Sequence, residues 1–207
     1  GLGDVYKRQV LRGLHASADP GGAVPGSAPG DLGRVEYDEF KTLRPGVIKV
    51  LSAHSAQAIG TLAAENKNWT SRWIIRAFLD FGNRFITPAQ FVTDTKSDVL
   101  RAISTLQSHG VSLANIYLEV HNEPNLVAEG WLKSWADGAT FAVWYLGVLK
   151  QYKAILPAVK YMFPGLSPGG AVSGVRTDAP AFLAACQSAI AASDALGAVS
   201  YTHLRAH

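Results

Sequence analysis

Five times between residues 10 and 198, a short apolar or β-branched run is followed by a longer stretch with helix signals. The runs VLRGLHA (10–16), VIKVLSA (47–53), WIIRAFLDF (73–81), NIYLEVHNE (115–123) and VKYMFPGLS (159–167) have strand length and composition, and DALGA (194–198) begins a sixth. Helices are expected over 31–43, closed by Arg44-Pro45-Gly46, and over 55–68, with Ser55 as N-cap. Others are expected over 87–110, opened by Thr87-Pro88, over 141–156, ended by Pro157, and over 178–193. A strand that returns parallel to its predecessor needs a long crossover, usually a helix. Strand–helix repetition therefore marks a parallel α/β fold. Residues 19–30, rich in Gly, Pro, Ser and Ala, are expected to form a long substrate-side or surface loop.

No G-x-G-x-x-G turn follows the first strand and no G-x-x-x-x-G-K-[ST] occurs anywhere, which argues against a dinucleotide-binding sheet or a P-loop enzyme. The expected architecture is a (β/α)8 barrel present in part, with about five and a half βα units. Active sites in such barrels stand at the C-terminal ends of the strands. The chain puts His15, His54, Asp80 with Asn83, then His121, Asn122 and Glu123, and finally Ser167 at those ends.

Composition narrows the function classes. Of 207 residues 48% are hydrophobic and 17% charged, with a net charge of +3 and no Lys/Arg run. Neither a nucleic-acid partner nor an anionic membrane surface is indicated, and no apolar run approaches the roughly 20 residues of a bilayer span. The lone cysteine, Cys186, excludes an internal disulfide and a cysteine-based zinc cluster, and in FLAACQSAI it reads as a buried structural thiol. Asn68-Trp69-Thr70 fits the glycosylation sequon, which has meaning only in a secreted eukaryotic protein. The ends GLGDVYKRQ (1–9) and VSYTHLRAH (199–207) read as translated sequencing-adapter DNA, one essentially the reverse complement of the other. Both are set aside from fold reasoning, which lowers the net charge towards neutrality, and residues 10–198 are expected to be an internal part of a longer protein.

The fourth run carries the chemistry. LEVHNEPN, an apolar strand with an interior Glu followed by Asn-Glu-Pro-Asn, resembles the large (β/α)8 clan of retaining glycoside hydrolases that includes cellulases, mannanases and xylosidases. Residues 10–198 are compatible with that clan from its first strand to the start of its sixth. The resemblance implies that Glu123 is the general acid/base and that Asn122 holds the sugar 2-hydroxyl. It also implies a nucleophilic Glu on a seventh strand, beyond these residues. A retaining mechanism needs two carboxyls about 5–5.5 Å apart, one protonating the leaving oxygen and one attacking the anomeric carbon. The acid must keep its proton near neutral pH, and burial beside a second carboxylate achieves that. The expected substrate partner is a poly- or oligosaccharide, with no cofactor and no metal. A polysaccharide-degrading enzyme fits a secreted or cell-surface location slightly better than a cytoplasmic one.

Period-2 alternation puts Tyr117, Glu119, His121 and Glu123 on one face of the strand. Glu119 then lies deeper in the interior, where a carboxylate needs a cation. Arg76, midway along WIIRAFLDF, is the expected partner in a structural ion pair. His15, His54 and His121 are expected to hydrogen-bond sugar hydroxyls or to orient Glu123. Trp131 is expected to stack on a sugar ring. Trp135, Trp144, Tyr145 and Tyr152 read as core, and Trp69 and Trp73 as packing around the third strand. Two other readings accompany the hydrolase: a non-catalytic carbohydrate-binding barrel, and a metal-dependent hydrolase using the three histidines.

Overall fold

The computed structural model describes residues 13–16, 31–82 and 84–197. Residues 10–12 of the first run, the 19–30 loop, Asn83 and both adapter-like ends lie outside the described residues. Six strands, β1 (Gly13–His15), β2 (Val47–Leu51), β3 (Arg72–Ala77), β4 (Ile116–Val120), β5 (Lys160–Phe163) and β6 (Ala195–Leu196), form one all-parallel sheet in chain order. Helices α1 (Arg34–Leu43), α2 (Ala56–Asn66), α3 (Pro88–Ser108) and α4 (Gly138–Ile155) are the first four crossovers, and α5 (Ala179–Ala185) with α6 (Gln187–Ala191) make the fifth. The sheet curls into a half-barrel, with β1 and β6 at its two edges.

The core lies between sheet and helices. Ile48, Val50, Trp73, Ile75, Ala77, Ile116, Leu118, Val120, Tyr161 and Phe163 alternate along the strands and are buried. They face the helical layer, supplied among others by Ile59 and Leu62 of α2, Phe91 and Val99 of α3, and Phe141 and Tyr145 of α4. Helix starts follow from their caps. Ser55 accepts from the Ala58 amide, and Thr87 and Gln90 close a reciprocal capping box ahead of α3, with Pro88 in its first turn. Asp137 and Thr140 form a second such box, so α4 begins three residues earlier than the apolar periodicity implied.

Several expected elements differ, β5 among them, which stops at Phe163 rather than running to Ser167. β3 stops at Ala77, where the Phe78 amide turns to the Ser52 hydroxyl, and Phe81 folds into the core rather than extending the strand. The single helix expected over 178–193 is two helices hinged at Cys186. That thiol is buried and donates to the Gly138 carbonyl at the head of α4, and its burial pushes its pKa up to about 12. β4 stops at Val120 rather than running to Glu123, with consequences for the site.

Candidate functional site

On the concave face of the sheet, opposite the helices, register sets Arg76 beside Glu119, with Lys49 one layer below, beside Ile74. The expected Arg76–Glu119 pair is present, Nε to Oε2 at 3.1 Å, and Glu119 is buried. Lys49, which sequence reasoning missed, brings its Nζ to the same oxygen at 2.5 Å. Its signal equals that of Arg76: each is the one cation amid apolar strand residues. Burial lowers the Lys49 pKa, and the Glu119 and Glu123 carboxylates pull it back up. Glu123 is therefore within electrostatic reach of this cluster.

The alternation of β4 does not continue into the motif. His121 has φ 75 and Glu123 φ 36, left-handed values that cost a residue other than glycine about 1–3 kcal/mol each. The first turns His121 to the opposite face of the sheet. It is 2% exposed, with its ring centroid 4.5 Å from Phe81, 5.2 Å from Trp135 and 5.7 Å from Trp144. The expectation that His121 shares a face with Glu119 and Glu123 and meets substrate is thus corrected: it is a core residue on the helical side. Its Nε2 lies 2.7 Å from the Glu129 carbonyl, which can only accept, so Nε2 carries the proton. Burial lowers its pKa to about 3.

Asn122 and Glu123 follow, both half-buried. Asn122 donates from Nδ2 to Glu129 Oε1 at 3.1 Å. The Glu123 amide donates to the Gly165 carbonyl beyond β5, and its own carbonyl accepts from Leu126. Pro124 is pinned by the Trp135 indole, whose Nε1 donates to its carbonyl at 2.7 Å. Asn125, fully buried, bonds three ways into the loop after β5: it donates to the carbonyls of Ser167 and Thr177 and accepts from the Ser167 amide. The turn is thus fixed largely by buried neighbours, Trp135, Asn125, Gly165 and Ser167.

Beside it, Arg76, Ala77, Phe78, Leu79, His121, Asn122 and Glu129 line a cavity of about 180 Å³. Glu129 was not foreseen. It is the only carboxylate between Glu123 and Asp137 in the chain, which was the available signal. Burial raises its pKa, aided by Glu123 and Asp80 and opposed by Asn122 and Arg76.

The remaining expected residues scatter. His15 is exposed on edge strand β1, in register with Lys49, and its pKa falls to about 3, first through desolvation and then through the charges of Lys49 and Arg76. His54 is fully buried in the turn after β2, its Nδ1 accepting from the Leu51 amide, so its expected place among sugar ligands is corrected to a turn-stabilising one. Trp131 is half-buried, with its indole donating to the Ala136 carbonyl, and its ring rests on the core. Among the described residues no three His, Cys, Asp or Glu side chains gather as metal ligands, and His121 faces away from the concave side. No helix among them is long and apolar enough to cross a membrane. Comparison with protein-family models, with curated proteins and with solved structures finds no match to this chain.

Proposed function

We propose that these six strands are part of a (β/α)8 glycoside hydrolase barrel that cleaves O-glycosidic bonds of a poly- or oligosaccharide with retention, and that Glu123 is its general acid/base. The observation that carries the reading is the Asn122–Glu123 pair at the C-terminal end of β4, held in a left-handed turn that is tied to the loop after β5. Strained backbone persists where surrounding structure over-determines it, and such sites are typically functional. Glu123 is half-buried beside the Lys49–Arg76–Glu119 cluster, a rigid and polar setting suited to proton transfer at a fixed point. In the resembled clan the attacking carboxylate stands on a seventh strand, and it forms the bond to the anomeric carbon while the acid serves the leaving oxygen.

The test is Glu123→Gln in a protein that carries these strands with the rest of the barrel. Turnover of glycosides with poor leaving groups should fall about 10²–10⁴-fold, the range for loss of a general acid. Aryl glycosides whose leaving groups need no proton should lose much less. Undiminished turnover on both substrates would overturn the assignment.

A further inference from the structure

Glu129 holds the motif from two sides. Its carbonyl accepts from the buried His121 at 2.7 Å, and its carboxylate accepts from Asn122 at 3.1 Å. The first contact fixes the main chain of Glu129 against an aromatic cluster, because His121 is itself locked among Phe81, Trp135 and Trp144. The second decides which way the Asn122 amide points. An ionised carboxylate can only accept, so the NH2 of Asn122 must face Glu129. Its Oδ1 is then turned away from Glu129, as an acceptor for a hydroxyl.

We infer that Glu129 is a positioning residue: it orients Asn122 so that the amide oxygen, rather than the amide nitrogen, meets the substrate hydroxyl next to the scissile bond. The inference rests on the glycosidase reading for the identity of that hydroxyl. The negative charge of Glu129 also polarises the amide and strengthens Oδ1 as an acceptor. Glu129 is faced by Arg76 from β3, by Asp80 from the segment after β3 and by Glu123 from the turn, with neutral His121 behind its main chain. Both the cavity and the hydrogen bond place Glu129 at Asn122.

Two measurements test this. In the ¹⁵N-labelled protein the carboxamide protons of Asn122, assigned by their loss in Asn122→Ala, should shift as Glu129 titrates and hold still in Glu129→Gln. If they do not respond to pH in the unsubstituted protein, the positioning role is overturned. In kinetics, in a protein that carries these strands with the rest of the barrel, Glu129→Ala should lower kcat/KM about 10–100-fold on a glycoside, the range typical of groups that orient a first-contact residue. The same variant should leave the corresponding 2-deoxy glycoside unaffected. Glu129→Gln, which keeps an acceptor oxygen, should recover most of the loss. Equal losses on both substrates overturn the positioning role alone. If a protein that carries these strands with the rest of the barrel turns over no glycoside, the glycosidase reading fails, and the substrate half of this inference fails with it.

Discussion

Two buried or half-buried titratable residues, His121 and Glu129, touch each other's chain and pull stability in opposite directions with pH. The folded pKa of His121 lies near 3 against an ordinary 6.5, so below pH 6.5 the unfolded chain takes up a proton that the folded one refuses. Its contribution is complete above 6.5 and is lost as pH falls towards 3, up to a few kcal/mol in size. Glu129 is raised, so the folded state binds its proton more tightly, and stability declines as pH rises from 4.5 through that raised value. Chemical denaturation from pH 3 to 8 should therefore show a shallower acid limb in His121→Gln and a flatter neutral limb in Glu129→Gln. Removing the anion from the concave cluster is more severe. Glu119→Ala leaves the half-buried Lys49 and Arg76 without their carboxylate and should cost up to about 3–5 kcal/mol, read from urea midpoints. The Arg76–Glu119 pair was legible because lone charges in apolar strands must find one another. The place of His121 was not, since counting by twos cannot detect a residue that takes φ 75 and leaves the pleat.

At the level of elements, existence and order were readable while ends were not. Strands were recognised from their apolar runs, but β3 and β4 each end before the polar residues that seemed to prolong them, because Phe78 and His121 find partners off the sheet. The break at Cys186 was hidden in a run of good helix formers, since its cause is a contact with the head of α4 far away in the chain. The loop after β4 carries a comparable long-range constraint at Gly130. It has φ 109, and an added Cβ would lie 2.8 Å from both the Phe81 and the Trp135 rings. Gly130→Ala should destabilise the protein by about 1–3 kcal/mol through backbone strain, with the displaced rings adding to that. The loss should appear as a lower thermal midpoint, together with a change in tryptophan fluorescence as Trp135 shifts. An unchanged midpoint would mean that the loop relaxes around the new methyl.

For the whole molecule, parallel order was legible because every strand is separated from the next by a helical stretch, one helix or before β6 two, long enough to cross back. Closure was not, since nothing in one strand–helix unit states how many units complete the set. The described sheet presents β1 and β6 as unpaired edges, and Val35, Leu43 and Leu196 are exposed apolar residues near them. Edges of this kind pair with whatever strand is offered. Residues 10–198 expressed alone should associate in a concentration-dependent way, measurable by sedimentation velocity, and on the glycoside hydrolase proposal should hydrolyse no glycoside, because a retaining reaction needs a second carboxylate. Robust turnover by that piece would refute the two-carboxylate reading.

The hydrogen bonds that Asn125 sends into the loop after β5 have a bearing on motion. Together with the Glu123–Gly165 and Val127–Val175 main-chain bonds, they join two strand-end loops along several residues of each. Loops so joined open as one cooperative unit rather than fluctuating separately. The amides of Glu123, Val127, Ser167 and Thr177 should therefore exchange with solvent deuterium at closely similar protection. Asn125→Ala should release all four at once, so that mobility at the turn after β4 and at the neighbouring loop is a single property of the molecule.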